Sequence, residues 1–335
     1  MTQLHSSVDF DREGKQHGHL FIPYSYNLGG WANLMVPVTV LNGGRGGPTA
    51  LVMAGNHGDE YPGQVAVMRL LRELVPDQVT GRLILIPTLT MPAAKAATRL
   101  SPLDGKNFNR CFPGNPTGTP SEVVAHYLTT ELFPRADIVI DLHTGGRSLD
   151  FEPCAHMHLV PKGPQRDAML AGTEAFNTDF CFLYADIAGA GLLPVEAESQ
   201  GKTVITTEMG GSENVTALVH AQTQMGLRNV LTHFGLLAGK AVTRESLGLG
   251  PTRWVQALAW DDYRFAPESG VYENLVPLGE AVSAGQPVGA IHFLERPDRD
   301  PAYVVANSAG VLPTGSMPAA RNLAFTSEFS RARKT

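Results

Sequence analysis

TALVMAGNHGDE at residues 49–60 and IVIDLHTGG at residues 138–146 share one plan. Each is a short apolar run that stops at a polar loop carrying glycine and histidine. VITTEMGG at residues 204–211 repeats the plan, with Glu208 at the junction. Short apolar runs bounded by turn residues fit strands buried on both faces. Leu83–Pro87 (LILIP) is a further run of this kind.

Between these runs the pattern becomes helical. Pro62 opens a segment with Val65, Val67, Met68, Leu70, Leu71 and Leu74 as its apolar positions. Proline suits a first helical turn, where its missing N–H has no intrahelical partner to lose. Ser121 is the expected N-cap of a helix burying Val124, Tyr127, Leu128 and Leu132. Asn214 is the expected start of a long helical region reaching about Leu237. Strands alternating with helices predict an α/β fold: a mostly parallel or mixed sheet flanked by helices on both faces.

The pattern changes near Pro251. Short strand-like pieces follow, broken by Gly and Pro: WVQALAW, SGVYENLV, QPVGAIHFL, AYVVAN and AGVLPTG. The expected organisation is a catalytic domain over residues 1–250 and a small all-β domain over 251–335. Leu34–Leu41 reads as a strand, so the first 45 or so residues are expected to add strands to the catalytic domain. At 335 residues the chain is long enough for two such units.

Composition narrows the function. A net charge of −6 argues against nucleic acid, which needs a basic face. The three cysteines, an odd number, offer no disulfide framework. No basic and apolar leader precedes the first strand, and no apolar run reaches the roughly 18 residues of a membrane span. The expectation is a cytoplasmic protein with no membrane partner, as a monomer or a homo-oligomer.

Ligands of open α/β sheets bind outside the carboxyl ends of strands. Here three strand ends carry His57 and Glu60, His143, and Glu208. Two His and one Glu form a known catalytic zinc set that leaves one position open. His57 and Glu60, three apart in a glycine-containing loop, can turn to one point, and His143 arrives from a neighbouring strand. Asp141, two residues before His143, is a candidate to orient it. Singly, each residue also fits a structural role; the three coincident strand ends carry the argument.

Asn109 and Arg110 sit in NFNRCFPG, residues 107–114, a setting suited to fork-like capture of a carboxylate. Arg99 is a second candidate cation. Cys154, His156 and His158 have metal-ligand types, but as alternate residues of one strand they read better as buried structure. His126 and His220 fall in helical patterns.

Asn56-His57-x-x-Glu60, Asn109-Arg110, Asp141-x-His143 and Glu208, in that order, resemble the succinylglutamate desuccinylase/aspartoacylase family, relatives of the zinc carboxypeptidases. The resemblance covers roughly residues 45–240. It implies a zinc-carboxypeptidase-like core, one Zn2+ per chain held by His57, Glu60 and His143, and Glu208 as general base and acid. It implies Asn109 and Arg110 as binders of the substrate carboxylate, and Arg99 as the arginine that polarises the scissile carbonyl. The activity implied is hydrolysis of the amide of a small N-acyl amino acid. GNHGDEYPGQVA, SPLDGKNFNRCFPG and DLHTGG look closest to N-acetyl-diaminobutyrate deacetylases within that family. The tail, PESGVY at 267–272 and LGEAVSAGQPVG at 278–289, resembles a barrel-sandwich carrier domain. Residues 251–320 contain no lysine, which excludes a lysine-borne carrier role. The rival readings are a zinc carboxypeptidase acting on peptides and a non-catalytic binding protein on the same scaffold.

Overall fold

A computed structural model describes residues 4–27, 29–185, 189–316, 326–328 and 331–332. The rest of the expected 251–335 unit, including residues 317–325, lies outside the described residues.

The chain opens with strands β1 (His5–Ser6), β2 (Gly14–Tyr26) and β3 (Gly29–Asn42), then β4 (Thr49–Ala54), helix α1 (Tyr61–Glu73) and β5 (Arg82–Ile86). Helices α2 (Met91–Ala96) and α3 (Pro120–Tyr127) follow. α3 runs through a π-helical turn, Leu128–Leu132, into α4 (Phe133–Arg135). The second half carries β6 (Ile138–His143), β7 (Leu149–Phe151), β8 (Cys154–His158), α5 (Pro164–Ala175), β9 (Phe180–Tyr184), α6 (Leu193–Ser199), β10 (Thr203–Glu208), α7 (Ala217–His233) and β11 (Arg253–Ala257).

One mixed sheet organises these strands, in the order β1-β2-β3-β5-β4-β6-β10-β8-β9-β11, with residues 331–332 at the far edge. β5, β4, β6 and β10 are mutually parallel. β8 then reverses direction against β10, and β9 and β11 run with β8. The N-terminal strands do extend the sheet, since β3 pairs antiparallel with β5.

Alternation along each central strand feeds two cores. Leu51, Met53, Ile84, Ile86 and Val139 face one core, with Leu193 and Ala197 of α6. Ala50, Val52, Leu83, Leu85, Ile138, Ile140 and Leu142 face the other, with Val67 and Leu70 of α1 and Leu227 and Val230 of α7. This period of two explains why the runs read as continuously apolar: both faces are covered. α1 lies so close to β6 that a Cβ on Gly63 would stand 2.6 Å from the Leu142 Cβ. Filling that contact costs about 1–3 kcal/mol by overpacking.

Two helix starts differ from expectation. Thr119, not Ser121, holds the N-cap position of α3, where Glu122 accepts from the Thr119 N–H at 2.8 Å. Ser121 lies inside the helix and binds Asp104 instead. Thr216, not Asn214, caps α7 through the Val219 N–H. At α7 a side chain two residues away had the geometry to reach a terminal N–H; at α3 the reaching side chain is Glu122.

WVQALAW also differs from expectation. It forms β11 and joins the large sheet beside β9, not the small β unit. The small antiparallel pieces begin with β12 (Tyr263–Phe265), followed by β13 (Val271–Asn274), β14 (Ala281–Val282), β15 (Pro287–His292), β16 (Ala302–Val305), β17 (Gly310–Val311) and β18 (Thr314–Ser316). Their core holds Val282, Val288, Ile291, Val304 and Leu312. β18 pairs with β7, the strand that follows the His143 loop, and so ties this unit to the sheet's carboxyl end.

Candidate metal centre and substrate cavity

His57 and Glu60 sit in the loop between β4 and α1. Glu60 is the N-cap residue of α1, yet its side chain caps nothing. It turns back to the imidazoles, and its two oxygens divide between them: Oε1 lies 2.6 Å from His57 Nδ1 and Oε2 lies 2.9 Å from His143 Nδ1. The Thr144 N–H also donates to Oε2. The loop is seated against α2: a Cβ on Gly58 would come within 2.1 Å of the Ala93 carbonyl carbon, so only glycine permits this approach.

His143 ends β6 on the same face as Asp141, as the two-residue period requires. Its Nε2 lies 2.8 Å from Asp141 Oδ2, and the Asn56 amide donates to that same oxygen at 3.0 Å. His57 Nε2 lies 3.1 Å from Asn107 Oδ1, which also accepts from the Asn109 N–H. That second contact fixes which way the Asn107 amide points.

Each imidazole therefore faces an oxygen acceptor at both ring nitrogens. A neutral ring carries one proton, so one lone pair would point at an oxygen. A cation between the Nδ1 atoms and Glu60, with the protons at Nε2, would remove that conflict at both rings; without it, Arg99 Nη1 lies 3.2 Å from His57 Nδ1, and a doubly protonated His143 donates to both of its oxygens. Among the described residues, His57, Glu60 and His143 are the one group whose ligand atoms all lie within 4.8 Å of one another. Cys154, His156 and His158 do not form such a group. Burial, the largest influence on both rings, disfavours the imidazolium. At His57 it prevails, holding the ring below its ordinary pKa despite Glu60. At His143 the charges of Asp141 and Glu60 overcome it and hold the ring well above. Burial pushes the Glu60 carboxyl up, but the two imidazoles outweigh it and keep the group well below the usual range.

Glu208 ends β10 directly across from His143 in the parallel β6–β10 register, which brings base candidate and ligand candidate side by side. Both line a cavity of about 210 Å³ with His57, Arg99, Asn109 and Arg110. Arg99 Nη1 lies 3.2 Å from Glu60 Oε1. Asn109 Oδ1 accepts from the Leu193 N–H at the start of α6. All seven expected site residues thus meet: three at the donor cluster and four around it.

Among the other wall residues, Tyr263 and Tyr184 carried no sequence signal, and His156 read as buried strand. Tyr263 enters from β12, so the segment after 251 supplies part of the wall. His156 and Tyr184 enter from β8 and β9. Asn107 lay inside the quoted NFNR segment, but its bond to His57 spans fifty positions and no local pattern encodes it. No helix among the described residues is long and apolar enough to cross a membrane.

Residues 46–234 match the family model for the succinylglutamate desuccinylase/aspartoacylase catalytic domain. An N-alpha-acetyl-L-2,4-diaminobutyric acid deacetylase from Halomonas elongata is 36% identical over 325 residues, covering 97% of this chain and 94% of the relative. A solved succinylglutamate desuccinylase/aspartoacylase from Rhodobacter sphaeroides is 36% identical with a TM-score of 0.92, covering 99% of this chain and 100% of that one. The product-bound ectoine utilization protein EutE (DoeB) from Ruegeria pomeroyi is 34% identical with a TM-score of 0.90, covering 99% and 98%.

Proposed function

This chain belongs to the succinylglutamate desuccinylase/aspartoacylase family, and on that premise we propose that it is a zinc-dependent deacylase of a small N-acyl amino acid, Nα-acetyl-2,4-diaminobutyrate. The observation that carries the reading is the convergence of His57, Glu60 and His143 beside Glu208. The acetyl and diaminobutyrate assignments rest on the likeness to the Halomonas elongata deacetylase.

His57, Glu60 and His143 would hold one Zn2+, with Asp141 and Asn107 fixing the rings so that Nδ1 faces the ion. Zinc in such a set supplies Lewis acidity, lowering the pKa of water to about 7. Arg110, with the Asn109 amide, takes the substrate α-carboxylate and so places the scissile carbonyl at the donor cluster. Arg99 donates to the carbonyl oxygen as negative charge develops there. Glu208 accepts the proton of the attacking water and returns it to the departing nitrogen. Leu149, Phe151, Leu192 and Pro194 keep bulk water from the reacting groups.

A cavity of about 210 Å³ walled by Tyr263 suits one small amino acid, which favours this reading over a carboxypeptidase on peptides. The presence of Glu208 beside a complete donor set favours it over a binding protein. The test is turnover of zinc-loaded protein on Nα-acetyl-2,4-diaminobutyrate, N-acetylaspartate, N-succinylglutamate and a C-terminal dipeptide. Release of diaminobutyrate as the fastest reaction is expected; hydrolysis of the dipeptide alone would overturn the assignment.

A further inference from the structure

The buried imidazole of His156 belongs to the cavity wall but to none of the roles above. It lies mid-strand in β8, 6% exposed, beside Thr206 in the β8–β10 register. The Thr206 hydroxyl makes two contacts with it: 2.8 Å to the His156 carbonyl oxygen and 2.7 Å to Nδ1. A hydroxyl has one proton and the carbonyl can only accept, so that proton goes to the carbonyl. Nδ1 must then be the donor to the Thr206 oxygen, and the neutral ring carries its lone pair at Nε2.

Among the described residues, that Nε2, on a side chain that lines the cavity, is buried and has no hydrogen-bond partner. The ring cannot swing to find one easily. Tyr184 packs edge-on against it, with ring centroids 5.2 Å apart. Tyr184 also rests on His158, whose Nδ1 is held by both Glu198 oxygens at 3.0 Å. Burial, then the neighbouring His143 and His158, hold the His156 pKa well below its ordinary value, so the ring stays neutral. Buried polar atoms are almost always paired, and an orphan at a cavity wall marks a place where a ligand completes the bond.

The three substituents of a bound N-acyl amino acid are then accounted for. The carboxylate goes to Asn109 and Arg110, the acyl carbonyl to the donor cluster, and the side chain to the remaining wall, where His156 stands. We propose that His156 reads the substrate's side chain, Nε2 accepting a hydrogen bond from a terminal ammonium and disfavouring a carboxylate at the same place. An ammonium offers only donors, which a fixed lone pair satisfies; a carboxylate offers only lone pairs, which it repels. The site thereby selects short basic N-acyl amino acids over acidic ones. This inference rests on the deacylase reading above.

The experiment compares kcat/KM on Nα-acetyl-2,4-diaminobutyrate, Nα-acetylnorvaline, in which a methyl replaces the ammonium, and N-acetylaspartate. A hydrogen bond to a charged group gives a wild-type preference for the amine over the methyl analogue of about ten- to a hundredfold. His156→Leu brings that ratio to near one, expressed chiefly in KM, with zinc content unchanged. His156→Gln, which can present an amide oxygen, restores part of the ratio, a rescue that loss of packing alone would not show. Calorimetric binding of free 2,4-diaminobutyrate against norvaline to the zinc-loaded proteins gives the same ratio without turnover. A wild type that accepts acetylnorvaline as well as the amine, or a His156→Leu protein that keeps the full ratio, overturns the role of His156 and leaves the deacylase reading standing. A wild type that hydrolyses none of the three overturns the deacylase reading itself.

Discussion

His57, Glu60 and His143 are 3%, 2% and 5% exposed, whereas Arg99, which touches Glu60, is 42% exposed and Arg110 is exposed as well. The first group hangs from two adjacent parallel strands, β4 and β6, and every ring nitrogen is held by a named oxygen. Arg99 lies in the loop after α2, and Arg110 closes the 3-10 turn Phe108–Arg110, where its guanidinium donates to the Asn109 carbonyl. The donor half is therefore preformed by the sheet, while the recognition half is carried by long, exposed side chains on turns. Mutations should divide the same way: changes on the donor side abolish metal or chemistry, and changes on the loop side weaken binding in a graded manner.

The largest effect is expected from His143→Ala. Removing one of three ligands from a closed protein set destroys the site, so zinc falls from about one per chain to trace levels and turnover disappears with it. Elemental analysis after dialysis checks this; full occupancy in the variant would break the contrast at its strongest point. Next in size is Glu208→Gln. The amide cannot take the water's proton, so kcat falls by about 10²–10⁴-fold while zinc content stays at the wild-type level. A variant with unaltered kcat would move the base elsewhere.

Asp141→Asn tests whether preforming matters beyond the ligands themselves. The carboxylate that receives the His143 Nε2 proton is lost, and zinc affinity should fall by about ten- to a hundredfold in a chelator competition. Affinity equal to wild type would mean that the ring is held by Glu60 and packing alone. The smallest effect is expected on the loop side, from Arg110→Lys. Lysine keeps the charge but not the two-pronged geometry. We expect a loss of about ten- to a hundredfold in kcat/KM, expressed in KM, with zinc retained. The control is a substrate whose α-carboxylate is amidated: wild type should discriminate against it and the variant little. Equal wild-type rates on both forms would show that Arg110 reads no carboxylate.

The two halves also differed in how far they could be read from the chain. The donor half was legible because strand ends announce themselves: TALVMA and IVIDL are apolar at all positions but Thr49 and Asp141, and each stops where the chemistry begins. Asp141 was legible too, since the two-residue period puts it on the His143 face. The cavity's far wall was not. His156 looked like ordinary buried strand, and only its pairing with Thr206 on β10 and the absence of a partner at Nε2 separate it from one. Tyr263, from beyond the expected boundary at 251, carried no motif at all.

What the sequence by itself determined is the set of elements and the order of the reactive residues, because burial on both faces and a polar strand end are properties of consecutive positions. It placed helix starts less well: Ser121 and Asn214 have the right chemistry, but α3 starts at Thr119 with Glu122 reaching back, and Thr216 has the reach at α7. Only the tertiary structure decided which strands are neighbours. The reversal at β8, the recruitment of β11 into the large sheet and the pairing of β18 with β7 are contacts between segments far apart in the chain. Backbone hydrogen bonds between strands look alike whichever strands make them, so local pattern does not specify the partner. That choice sets Glu208 beside His143, Thr206 beside His156, and a wall of the small β unit over both.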